Sequence, residues 1–196
     1  MARSVKFDIV TISNDEINLL PLGAYEGQIV VVSQQEEIAR VFDEIGQHKR
    51  VGFDTETKPV FVKGHRNKVA LMQIALPDKV FLIRLKTTGI TDEMLAFLQN
   101  ENIEKVGVGI RDDIKAVQVL KRFKPAGFVE LTELTRLAGL EVESVKKLTA
   151  LLLGFRISKG AQTSNWEAEH LDPKQISYAA TDAWVCLKIW ETVTGN

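Results

Sequence analysis

One cysteine, Cys186, stands in the 196-residue chain, so no disulfide can form within it and no zinc site can be built from cysteine pairs. Cys186 lies in an apolar helical pattern and reads as a core residue of a protein from a reducing compartment. A surplus of charge is also lacking: 25 Lys and Arg face 26 Asp and Glu, for a formal net charge of -1. Without a global positive field, contact with a polyanion must rest on local basic patches or a bound cation. This excludes a nonspecific coater of duplex nucleic acid. Long apolar runs are missing too: no stretch approaches the ~20 residues of a membrane span, and residues 1–9 have no signal-type apolar core. A cytoplasmic protein with no membrane partner is expected. Internal repeats, linkers and low-complexity segments are absent, and a content of 45% hydrophobic and 26% charged residues suits one ordinary globular domain.

Regular patterning begins at Gln28, and residues 1–27 read as an irregular lead-in to a domain spanning 28–196. Ile29-Val-Val-Val32 reads as a strand, and Ser33-x-x-Glu36 is a capping-box signature for a helix with Ile38, Val41, Phe42 and Ile45 at helical spacing. The strand from Val51 to Thr57 and two more, Val69 to Leu76 and Lys79 to Leu85 around the Pro77-Asp78 turn, suggest an antiparallel meander. A helix after Thr91-Asp92 and a strand from Lys105 to Ile110 then switch the pattern to strand-helix alternation. Beyond these come helices at 113–122, 132–138 and 145–153, a short Phe128-Val-Glu-Leu131 strand, and a last helix from Pro173. The fold expected is α/β, a mixed sheet of three antiparallel strands followed by parallel ones, flanked by helices.

Acidic residues recur at the ends of these elements. Asp54 and Glu56 are two apart on a strand and so project to one face. Two anions there repel each other and lose solvation, which a divalent cation with oxygen ligands would relieve, although both also fit a strand end running into solvent. Asp112-Asp113 follows a strand where a helix begins, a position that also suits capping residues. On the last helix, Asp172-Pro173 opens the first turn, and Tyr178 and Asp182 are four apart on a common face. Alanines flank Asp182, which favours an inward position.

Asp54-x-Glu56, Gly109-x-x-x-Asp113 and Tyr178-x-x-x-Asp182, in this order and on these elements, resemble the three motifs of the ribonuclease H-like 3'-5' exonucleases, in the subgroup with tyrosine in the third. The likeness covers about residues 28–193 and is greater to the Werner-type branch than to the ribonuclease D branch. Val51-Gly-Phe-Asp54, Lys68-Val-Ala-Leu-Met-Gln-Ile74, Val106-Gly-Val-Gly-Ile110, Phe128-Val-Glu-Leu131 and Ser164-Asn-Trp166 also match. The resemblance implies removal of nucleotides from a free 3' end of nucleic acid, DNA over RNA, releasing nucleoside 5'-monophosphates with two divalent cations, Mg2+ or Mn2+. It selects Asp113 over Asp112, places Asp54, Glu56 and Asp182 on one cation and Asp54 and Asp113 on the other, and gives Tyr178 the orientation of the attacking water. The alternative is a nucleic-acid-binding module on the same fold without catalysis, and a second is an endonuclease with the same metal site.

Substrate contacts are expected from basic residues. Lys58, Lys63, His65, Arg66 and Lys68 crowd the loop around Gly64, with Arg66 and Lys68 the better candidates for the phosphate backbone. Lys159, in the stretch before Trp166, matches the family's lysine and is a further candidate, whereas Trp166 itself reads as packing.

Overall fold

A computed structural model describes residues 7–60 and 67–195. Its strands are β1 (Gln28–Val32), β2 (Arg50–Thr57), β3 (Val69–Ala75), β4 (Lys79–Arg84), β5 (Glu104–Gly107) and β6 (Phe128–Glu130). They form one sheet in the order β1-β4-β3-β2-β5-β6. The meander β2-β3-β4 is antiparallel, and β1 joins β4, β5 joins β2 and β6 joins β5 in parallel. All seven residues of β3 are buried, as a central strand covered on both faces requires.

The helices are α1 (Asn14–Leu19), α2 (Ile38–Ile45), α3 (Leu85–Thr88), α4 (Asp92–Leu98), α5 (Ile110–Leu120), α6 (Leu131–Leu137), α7 (Val145–Leu153) and α8 (Pro173–Thr194). Residues of α2, α4 and α5 share one core with Val51 and Phe53 of β2 and with Met72 and Ile74 of β3. On the other face lies α8, where Asp172 accepts hydrogen bonds from the backbone N–H groups of Lys174 and Gln175 and Pro173 sits in the first turn. Cys186 is buried there, as its apolar surroundings in sequence suggest. No helix among the described residues is long and apolar enough to cross a membrane.

Three local expectations need correction. The lead-in holds α1, closed by a capping box between Ser13 and Glu16, and Tyr25 after it is buried against α8, its N–H donating to Thr181 Oγ1 at 3.0 Å. The box expected at Ser33 and Glu36 forms one residue later, where Gln34 N–H donates to Glu37 Oε2 at 3.2 Å and a 3-10 turn at Gln35–Glu37 precedes α2. Finally, β5 ends at Gly107, and α5 begins at Ile110 rather than at Asp113.

Lys105 in β5 is fully buried, and its Nζ donates to the carbonyls of Phe97 at 3.1 Å and Asn100 at 2.6 Å, closing the C-terminal end of α4. Burial lowers its pKa to about 8. The unfolded chain therefore binds the more protons between about pH 8 and 10.5, and stability from this group is full above that window and lost as pH falls through about 8. Glu56 titrates across the same range with the opposite sign, so the readout is a difference: in denaturant melts from pH 7 to 10.5, wild type should gain up to about 3 kcal/mol of stability relative to Lys105→Met.

Candidate active site

Alternation along β2 sends Val51 and Phe53 into the α2-α4-α5 layer and turns Gly52, Asp54 and Glu56 toward α8. Glycine is required at the first of these positions: a Cβ on Gly52 would lie 2.0 Å from the carbonyl oxygen of Ala183. Alanines do the same on the helix side, where Ala179, Ala180 and Ala183 are fully buried. Strand and helix thus touch backbone to backbone, and Asp182 is brought over the strand carboxylates. One oxygen from each of Asp54, Glu56 and Asp182 lies within 4.8 Å of the others.

Asp113 reaches the same region from α5 by another route. The α5 N-cap is Gly109, in the left-handed region at φ 74°, and no side chain of the first turn caps the helix. Glu130, at the end of β6, accepts the N–H of Gly109 at 3.1 Å and of Ile110 at 2.9 Å, and also accepts from Thr132 to cap α6. With that role filled, Asp112 is left to solvent beside Lys115, and Asp113 accepts a hydrogen bond from Thr55 Oγ1 at 2.5 Å. Thr55→Val removes this bond while keeping the shape. Denaturant melts should show about 1–3 kcal/mol of destabilisation, because the Asp113 carboxylate loses its donor.

The electrostatics are those of four acids that raise one another's pKa. Burial, and then the charges of Asp113, Asp182 and Glu56, push the Asp54 carboxyl well above the ordinary range. Glu56 rises to about 9 through burial and the charges of Asp182 and Asp113. Burial raises Asp182 as well, partly offset by the Tyr178 phenol, and it raises Asp113, partly offset by Thr55. Tyr178 is itself shifted upward by burial and by Asp182, so it stays protonated at neutral pH. One oxygen of Asp182 is buried without any hydrogen-bond partner. Hard oxygen donors, mutual repulsion and an unpaired buried carboxylate oxygen together fit a divalent cation.

Asp54, Glu56 and Asp182 line a cleft of about 470 Å3 whose walls also include Tyr178, Lys146 and Lys159. Lys159 thus lines the same cleft as the acids. Lys68 is exposed at the start of β3 and does not line the cleft, and Arg66 lies outside the described residues. Trp166 is 1% exposed and packs near Tyr178, with ring centroids 6.1 Å apart, so the packing reading holds. Sequence reasoning missed Thr55, Glu130 and Lys146. Only Thr55 left a signal, by standing between two acids on a strand.

A family model for 3'-5' exonucleases matches residues 29–194. The mouse bifunctional 3'-5' exonuclease/ATP-dependent helicase WRN is 31% identical over 189 residues, which cover 90% of this chain and 13% of that protein. The exonuclease 3'-5' domain-containing protein 2 of Drosophila melanogaster is 31% identical over 159 residues, 77% of this chain and 27% of that one. The chain therefore spans less than a third of either relative. Among solved structures, the Aedes aegypti Nibbler EXO domain superposes with a TM-score of 0.77 at 23% identity, covering 87% of this chain and 90% of that one. Escherichia coli RNase D superposes with a TM-score of 0.74 at 20% identity, covering 83% and 43%. Acidic cluster and family together imply divalent-metal binding. The chain belongs to the 3'-5' exonuclease family, on the ribonuclease H-like fold.

Proposed function

We propose that this chain, with residues 28–196 as its exonuclease domain, hydrolyses phosphodiester bonds from the 3' end of nucleic acid and releases nucleoside 5'-monophosphates. The observation that carries the reading is the convergence of Asp54, Glu56 and Asp182 on one point in a lysine-lined cleft. DNA is the preferred substrate. In support, the 31% identity is to a protein that joins an exonuclease to a helicase, whereas the likeness to RNase D is one of fold.

Asp54, Glu56 and Asp182 would hold one divalent cation, and Asp54 with Asp113 a second, Mg2+ or Mn2+ in each case. When bound, such cations supply positive charge to the phosphate under attack and to the leaving oxygen, and they make water a better nucleophile. The protein's own residues do the placing. Thr55 holds Asp113, the alanine-lined contact of α8 with Gly52 sets Asp182 over β2, and Lys159 with Lys146 meets backbone phosphates without reading sequence. Tyr178 would orient the attacking water by hydrogen bonding, since a phenol titrates far above neutral pH in its unperturbed state.

Degradation of end-labelled DNA and RNA of one sequence, with Mn2+ or with EDTA, tests the reading: DNA is shortened faster than RNA, and EDTA stops both. Binding of either strand without any shortening in Mn2+ would leave a non-catalytic binding module. Tyr178→Phe keeps the ring against Trp166 and removes only the hydroxyl. Single-turnover cleavage should fall roughly ten- to a thousandfold while the melting temperature holds, and a wild-type rate would end the role given to the hydroxyl.

A further inference from the structure

Gln73 is the one polar side chain in β3, and the reading above gives it no task. It pairs directly with Asp54 across the antiparallel β2-β3 ladder, with Gly52 opposite Ala75 and Glu56 opposite Leu71 on either side. Opposed residues of such a pair share a face, with Cβ atoms about 5 Å apart, so the Gln73 and Asp54 side chains leave the sheet as neighbours on the face that α8 covers. It has no exposure, and among the described residues neither its Oε1 nor its Nε2 has a hydrogen-bond partner. An amide buried in this way costs about 1–3 kcal/mol, which leucine or methionine at the same place would not. The same layer holds the unpaired oxygen of Asp182.

We propose that Gln73 is a positioning residue for the cation site: its amide N–H donates to the Asp54 carboxylate and holds it turned toward Glu56 and Asp182 when a divalent cation is bound. The inference rests on the cation-binding reading given above. A neutral amide suits this task better than lysine or arginine, because it orients a carboxylate without neutralising the charge that attracts the metal. Groups that hold metal-binding side chains in this manner commonly change metal affinity 10- to 100-fold when removed.

The test compares wild type, Gln73→Met, Gln73→Leu and Asp54→Ala by melting in EDTA and through a Mn2+ titration. In EDTA, Gln73→Met should melt at or above the wild-type temperature, since it removes two unpaired polar atoms while keeping length and volume. Its Mn2+ midpoint should rise tenfold or more, while the wild-type response is lost in Asp54→Ala. An unchanged midpoint in a folded Gln73→Met or Gln73→Leu protein would overturn the assignment. Loss of the fold in both would make Gln73 a packing residue and overturn it equally. A wild type whose melting ignores Mn2+ would instead bring down the cation reading itself, and this proposal with it.

Discussion

Asp54→Ala is expected to abolish the proposed cleavage and to remove most of the thermal stabilisation expected from Mg2+ or Mn2+. Asp54 is shared between both proposed cation positions, and its carboxyl is driven upward by burial and by three neighbouring acids. A cation that binds only the folded cluster, at a hundred times its Kd, adds about 2.7 kcal/mol of stability. For a chain of this length that is a shift of roughly 5–10 °C in Tm. In EDTA the variant should melt no lower than wild type, because one of four repelling groups is gone. The readout is a pair of melting curves per protein, with and without metal, beside single-turnover cleavage. Equal metal-induced shifts in wild type and variant would mean that Asp54 is not a ligand.

Gly52→Ala is expected to damage stability and activity together, through a single methyl group. The added Cβ would sit 2.0 Å from the Ala183 carbonyl oxygen and 3.2 Å from the Ala75 Cβ. The nearer of these is backbone, so no side chain can turn aside and α8 must move off β2. Overpacking of this kind costs about 1–3 kcal/mol, and a displacement near 1 Å at a reacting centre can cost about a hundredfold in rate. Here the displaced helix carries both Asp182 and Tyr178. Chemical denaturation and single-turnover cleavage measure the two losses. A variant as stable and as active as wild type would contradict the close contact of strand and helix.

Those two positions mark how far the sequence could be read. The period-two placing of Asp54 and Glu56, and the four-residue spacing of Tyr178 and Asp182, are local patterns, and the mixed sheet around them follows from local periodicity and turn chemistry. What remained hidden depends on distant partners. The helix after β5 starts at Ile110 because Glu130, 20 residues further on, supplies the cap that the Asp112-Asp113 pair looked suited to provide. That exchange frees Asp113 for Thr55. The short α1 was obscured by a run too brief to show a period, although Ser13 and Glu16 carried its capping box. Gln73 stands in the sequence only as part of the matching stretch from Lys68 to Ile74, and its place opposite Asp54 comes from the β2-β3 register.

Stepwise removal of nucleotides from a 3' end is tested most directly by incubating a 5'-labelled linear single strand of DNA, and a circular strand of the same sequence, with the protein and Mn2+. The linear strand should shorten one nucleotide at a time into a descending ladder, and the circle should remain intact. Rapid cutting of the circle, or internal fragments from the linear strand before its end is shortened, would contradict the account.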